Sequence, residues 1–278
     1  MLALVYQEIE KNGDKAKVVP LKRLQDIKQD IEQLKGSEQL NDFQKFIVND
    51  IYRFDAPATD FEVCSILIVA SPSPARAKIV FNREGKRIPL MLPASYIDKD
   101  TVPVRIERYL NEFLNPKGYH VKYAPRLPRK RIAVRSGLGV YGRNNICYVD
   151  GFGSFLNLTP FFSDIPCDTG EAWQEVRAAE ACKSCEACLS HCPTAAILEE
   201  RFLINNERCL TYFNEAGAEW NFPDWIDRSA HNAIYGCMRC QTVCPMNQEY
   251  LGPVIEPAEF TAEETQLLMG GKPYDEFS

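Results

Sequence analysis

No stretch of this chain approaches the roughly 20 consecutive apolar residues that a membrane-crossing helix needs. The first ten residues hold Glu8 and Glu10, with no basic segment leading into a long apolar run, so the mark of a secretory leader is missing. Positive charge is not in excess either. Lys and Arg number 32 against 38 Asp and Glu, a net charge of −6, and the pI is about 5.3. That balance argues against whole-molecule attraction to nucleic acid or to an anionic membrane surface. Together these absences predict a soluble, cytoplasmic protein without membrane partners.

What is present is ordinary in bulk and unusual in one residue. The apolar fraction is 45% and the charged fraction 25%, which excludes disordered, collagen-like and coiled-coil classes. At 278 residues the chain has room for one large domain or two modest ones and needs no disulfide staples. Eleven cysteines stand out. In a short secreted chain they would be disulfides; here most crowd into one quarter of a long chain, which points to metal.

Apolar spacing outlines the organisation. Leu2, Val5, Tyr6 and Ile9 predict a helix, with Gly13 at its end. A short strand is expected at 16–19. Leu21, Leu24, Ile27, Ile31 and Leu34 predict a second helix stopped by Gly36, and Phe43, Phe46, Ile47 and Ile51 a third. All three stripes read as core faces. The unbroken apolar run 64–70 predicts a buried strand, 78–81 and 87–92 a hairpin, 104–114 a helix, and 146–149 and 152–158 strands. Residues 171–181 read as a linking helix. The expected division is an α/β domain over 1–170, a cysteine-rich domain over 171–250 and a C-terminal tail over 251–278.

The cysteines are spaced as C-x2-C-x2-C-x3-C-P over Cys182, Cys185, Cys188 and Cys192, and as C-x2-C-x3-C-P over Cys237, Cys240 and Cys244, with Cys209 between. Thiolates two residues apart on a tight loop reach adjacent corners of one [4Fe–4S] cube, while the cysteine before proline ligates the other cube. That rule assigns Cys182, Cys185, Cys188 and Cys244 to one cluster, and Cys192, Cys209, Cys237 and Cys240 to a second. Zinc sites favour paired cysteines or cysteine with histidine and fit this spacing poorly. His191 and His231 lie nearby, but eight cysteines already complete two clusters. Cys64 and Cys147 sit in strand-like apolar settings and are expected to be small buried hydrophobes. Cys167 lies in a loop. The aromatics Tyr212, Phe213, Trp220, Phe222 and Trp225 either cover a cofactor or shield a cluster from water.

From Phe113 to Val149 there is no acidic residue, whereas Lys117, Lys122, Arg126, Arg129, Lys130, Arg131, Arg135 and Arg143 all fall there. Such a run serves as a solvated face or holds a phosphate-bearing ligand or acidic partner. It contains Gly137-Leu138-Gly139-Val140-Tyr141-Gly142-Arg143-Asn144. The letters match the dinucleotide fingerprint, but the context does not. That fingerprint needs a strand before it and a helix after, and here a basic helix precedes and a strand follows. The glycines instead suggest close backbone approach to a bulky ligand.

The order of basic helix, GLGVYGRNN (137–145), apolar hairpin, CKSCEACLSHCPTAAI (182–197), CLTYF (209–213) and CMRCQTVCPMN (237–247) resembles the epoxyqueuosine reductase family, corrinoid iron–sulfur reductases related to reductive dehalogenases. The resemblance covers roughly residues 120–250 and is loose over the first 115. It corresponds to a short form without the C-terminal helical repeat domain of some members. It implies an α/β (α+β) cobalamin-binding domain followed by a ferredoxin-like double [4Fe-4S] cluster domain. Electrons would pass from an external ferredoxin- or flavodoxin-type donor through both clusters to cobalamin, and then to a small-molecule or modified-nucleoside substrate, tRNA among the candidates. It would place Gly137, Gly139, Tyr141, Gly142, Arg143 and Asn144 against the corrinoid. The family's proton-donating aspartate stands about fourteen residues before the loop. Ungapped alignment puts Tyr123 there, beside Lys122, which favours the phenolate. The alternative function is an electron-transfer or corrinoid-reducing partner with no substrate of its own.

Overall fold

The computed structural model describes residues 1–167, 173–176, 178–199, 203–216 and 221–270. The amphipathic stripe of Leu2, Val5 and Ile9 forms α1 (Leu2–Lys11), and Gly13, at φ 77°, turns the chain into β1 (Lys15–Pro20). The second stripe forms α2 (Arg23–Gly36), with Leu24, Ile27 and Ile31 buried. The third departs from its expected core face. A capping box at Asn41 and Gln44 starts α3 (Asp42–Phe46), which loosens into a π turn at Ile47–Ile51. The wider turn breaks the 3.6-residue period. Val48 goes inward, while Phe46 and Ile51 are left exposed.

β2 (Ser65–Pro72) is the spine of the molecule. It pairs antiparallel with β1 and with β8 (Leu156–Ser163), and the short β5 (Val121–Tyr123) closes the sheet in the order β1-β2-β8-β5. Side chains on a strand alternate between faces. Ile66, Ile68 and Ala70 therefore join α2 and the basic helix in one apolar layer, and Leu67 and Val69 join α1 and α5 (Thr101–Leu114) in the other. Full burial of each such aliphatic is worth about 1.5–3 kcal/mol, which explains an apolar run with no polar interruption. Cys64 lies just before the strand and is exposed, contrary to the buried setting its sequence suggests; Cys147 is buried.

The predicted hairpin is β3 (Arg76–Arg83) and β4 (Lys86–Leu92), turning at Glu84 and Gly85 with positive φ at both. The short α4 (Ala94–Ile97) and α5 (Thr101–Leu114) follow. The basic helix is α6 (Arg129–Arg135), and the glycine loop forms β6 (Val140–Tyr141) paired with β7 (Cys147–Tyr148). The expected linking helix falls partly on 171, 172 and 177, outside the described residues. Within it 173–176 are not helical, and only Glu180–Cys182 make a 3-10 turn. The cysteine region holds α7 (Ala187–Ser190), α8 (Leu210–Asn214) and α9 (Arg239–Thr242).

The segment read as a tail returns to the first unit. β9 (Val254–Phe260) pairs parallel with β3, and α10 (Ala262–Met269) follows it. The cysteine region is thus bracketed by strands of the α/β unit. Among the described residues no helix is long and apolar enough to cross a membrane.

Candidate metal and cofactor site

The tight turns of the two cysteine runs bring their thiols into two groups. Cys182, Cys185, Cys188 and Cys244 surround a small cleft. Cys192, Cys209, Cys237 and Cys240 line a chamber of about 630 Å³. Each group draws on both runs, as the spacing divides them. Burial first, then the Cys182, Cys244 and Cys185 charges, pushes the Cys188 thiol up to about 11. Cys240 is raised by burial and by Cys237 and Cys209. Acids that raise one another in a low-dielectric site call for cationic compensation, which iron supplies on binding thiolate.

Among the described residues no three His, Cys, Asp or Glu side chains converge on one metal position. Zinc holds its thiolates about 2.3 Å away; a cube spreads four over a wider tetrahedron. The sulfurs also receive N–H donors of the kind that tune clusters: Ala196 N to Cys192 (3.2 Å), Arg143 N to Cys182 (3.4 Å) and Asn232 Nδ2 to Cys237 (3.4 Å).

The loop residues divide between packing and lining. A Cβ on Gly139 would stand 2.6 Å from the Tyr148 carbonyl oxygen and 2.8 Å from Cys147 Sγ, and one on Gly142 2.6 Å from the Tyr148 ring. These two glycines make room for the chain's own β7. Gly137 has φ 75° and faces Gln174, while Tyr141 is buried in the core. Arg143 turns to the small cleft and donates to the carbonyls of Cys182 (2.8 Å) and Glu199 (3.1 Å). Asn144 alone of the six lines both cleft and chamber.

Tyr123 does not line the chamber. It packs with Phe161 (5.8 Å between ring centroids) in the layer beneath α1 and α5, across the sheet from α6, because its neighbours on β5 alternate and Tyr123 shares its face with Val121.

The chamber's remaining wall joins Tyr212, one of the aromatics expected to cover a cofactor or shield a cluster, to residues that patterns alone do not single out. Lys130 of α6, Asn145 and Ile146 form one side, and Phe43 and Phe46 of α3 with Tyr212 of α8 another. Phe43 meets Tyr212 edge-on at 4.9 Å. Glu207 accepts from the Asp42 (3.0 Å) and Phe43 (3.3 Å) amides, tying α3 to the cysteine region. Of the other aromatics, Phe213 packs on Trp225 away from the chamber wall, and Trp220 lies outside the described residues. Lys130 carried a signal only as part of the basic run. Burial drops its amine to about 8, opposed by Cys147 and helped to a smaller degree by Arg129 and Arg131.

Residues 181–247 match the family described as a 4Fe-4S double cluster binding domain. The chain is 31% identical over 134 residues to epoxyqueuosine reductase of Bacillus subtilis, covering 47% of this chain and 33% of that protein. It is 29% identical over 195 residues to that of Listeria monocytogenes, covering 66% and 48%. For the Escherichia coli protein the identity is 34% over 128 residues, covering 46% and 32%.

The chain is similar to the epoxyqueuosine reductases. It spans a third to a half of the length of these curated relatives. Its fold is shared more widely. A selenomethionine-labelled epoxyqueuosine reductase superposes with a TM-score of 0.63 at 20% identity, covering 92% of this chain and 70% of the other. An epoxyqueuosine reductase solved with an epoxyqueuosine-modified tRNA-Tyr stem loop gives 0.60 at 21% identity, covering 91% and 68%. The α/β unit with an appended double-cluster domain is therefore the fold of these reductases.

Proposed function

We propose that this chain is a corrinoid-dependent iron–sulfur oxidoreductase resembling epoxyqueuosine reductase. The observation that carries the reading is the chamber of about 630 Å³ with four cysteines of one group on one side and Lys130, Asn144, Asn145 and Ile146 on the other. It adjoins one proposed cluster, and Asn144 reaches the cleft of the other. Its lining is mainly apolar, with a few polar groups, which suits a large amphipathic cofactor. Cys182, Cys185, Cys188 and Cys244 would hold one [4Fe–4S] cluster, and Cys192, Cys209, Cys237 and Cys240 the second. A reduced corrinoid supplies a strong nucleophile for an electrophilic carbon.

The chain's own residues do the rest. The two thiolate groups would hold clusters that supply one-electron relay from an external ferredoxin- or flavodoxin-type donor. Asn144 fixes the spacing between the groups. Phe43, Phe46 and Tyr212 exclude water from the chamber, which strengthens electrostatic interactions inside it. The tRNA stem loop bound by a structural relative makes a modified nucleoside the favoured substrate class.

Anaerobically reconstituted protein tests the reading. About eight irons per chain are expected, together with stoichiometric uptake of cob(II)alamin seen as a shifted absorption spectrum. Two clusters with no corrinoid uptake would overturn it in favour of an electron carrier without a substrate of its own.

A further inference from the structure

The chamber wall holds a buried ammonium with a hydrogen-bond donor to spare. Lys130 enters its wall from α6, and its Nζ donates to the Asn145 carbonyl (2.8 Å) and to Asn145 Oδ1 (3.0 Å). An ammonium has three N–H donors, so one remains after both contacts. Asn145 sits at φ 60°, and its amide closes the turn onto Gly142 O at 2.9 Å. A left-handed asparagine at a tight turn is backbone strain of the kind found where a side chain must be aimed. Here it presents two oxygens of one residue to one amine.

Both partners of Lys130 are neutral. Among the described residues no carboxylate pairs with it, and Glu215, the acid lining the chamber, pairs with no base. Arg239, the other base of the lining, is committed to the Ser229 carbonyl at 3.2 Å. A buried ammonium with an unused N–H is costly, and the Cys192, Cys209, Cys237 and Cys240 thiolates across the chamber offset its charge without filling that donor. It becomes favourable when an occupant brings a single negative charge to the third N–H, since hydrogen bonds between charged groups are the strong ones.

We infer that Lys130 is an anchoring residue for a phosphodiester carried by the occupant of the chamber. The inference rests on the corrinoid reading above and deepens it. A phosphodiester bears one negative charge, and in an amphipathic ligand with no other anionic group it is the group an ammonium with a spare N–H selects. Two sources share this chemistry: the nucleotide loop of a complete corrinoid, and the backbone of an RNA substrate.

The experiment titrates iron-loaded, oxidised protein with three probes: cob(II)alamin, cob(II)inamide, which lacks the nucleotide loop and its phosphate, and a 17-nucleotide tRNA anticodon stem loop. Wild type is compared with Lys130→Gln and Lys130→Arg, binding being read from absorption and EPR for the corrinoids and from fluorescence anisotropy for the RNA. A corrinoid phosphate at Lys130 predicts that Lys130→Gln weakens cob(II)alamin tenfold or more, leaves cob(II)inamide within about twofold, and is rescued in part by Lys130→Arg. Loss confined to the RNA assigns the RNA backbone as the source and retains the anchoring role. Equal binding of all three probes by wild type and Lys130→Gln overturns the inference. Wild type that takes up neither corrinoid overturns the functional reading instead, and Lys130 keeps its role only if RNA binding depends on it.

Wild-type protein gives a second measurement if the variants lose iron. Lys130 faces Arg129 and Arg131 on its own helix, Tyr141 on β6 and Cys147 on β7, with Glu215, Arg239, Tyr212, Cys192, Cys209, Cys237 and Cys240 across the chamber. Affinity for cob(II)alamin, and not for cob(II)inamide, is expected to fall as pH rises past the point where the amine loses its proton. Parallel curves for the two corrinoids overturn the corrinoid source.

Discussion

The side-chain amide of Asn144 reaches the backbone carbonyl of Cys240 at 3.4 Å while also donating to Tyr148 Oη at 2.9 Å. Asn144 is 3% exposed, so one buried side chain of the α/β unit fixes where the second cysteine run sits. Asn144→Ala leaves both partners unsatisfied, at a cost of about 2 kcal/mol. The expected outcome is a thermal midpoint several degrees lower in the iron-loaded protein, with iron released faster to a chelator.

The two cysteine groups are expected to fail as groups, not as sequence neighbours. Cys192→Ser and Cys237→Ser should each reduce iron from about eight to about four per chain, and the double variant should lose no more. Cys192→Ser combined with Cys244→Ser should lose nearly all of it. Iron analysis and the EPR of the reduced protein read the outcome; loss that follows the linear runs would refute the grouping.

Two glycines should respond in opposite directions to alanine. Gly139→Ala drives a Cβ into the Tyr148 carbonyl oxygen, and displacing β7 should cost about 2–4 kcal/mol. Gly36, in the last turn of α2, has nothing within 4 Å of a built Cβ. Gly36→Ala should stabilise by about 0.5–1 kcal/mol. Thermal unfolding of the three proteins side by side checks both.

Lys130 should titrate apart from the other lysines. Reductive 13C-methylation followed by NMR is expected to show one resonance with a midpoint near 8 in the corrinoid-free protein, removed in Lys130→Arg. A lysine whose folded pKa is depressed is charged less readily in the fold than in the unfolded chain. Its unfavourable contribution is therefore fully present below pH 8 and fades as pH rises toward the unfolded value. Absence of a displaced resonance would contradict the buried setting.

Tyr123→Phe should leave corrinoid uptake and reduction unchanged within about twofold, because the phenol lies across the sheet from the chamber. Turnover measured against wild type decides this, and a loss of a hundredfold or more, typical for removal of a general acid, would restore Tyr123 as the proton donor.

The sequence carried the local features well and the enclosed space poorly. The stripes of α1 and α2, the unbroken run of β2 and the basic helix obey simple periods, since each buries a single face or both faces. The grouping of cysteines follows from the reach of a thiolate on a tight loop. The chamber does not, because it is built from six separated segments whose meeting is a tertiary fact. Phe43 and Phe46 looked like core because aromatics at helical spacing usually are, and only the π turn after α3 frees Phe46. Lys130 was one of eight bases in an acid-free stretch, and no pattern distinguishes the one that turns inward. The return of β9 to β3 was equally hidden, since a parallel pairing so distant leaves no local trace.

Glu207 caps α3 from a point two residues ahead of Cys209. The enclosure around the chamber is therefore fastened by the same short segment that carries the Cys209 thiol. Wall and thiol are hinged together, so a shift of 207–209 carries α3 with it.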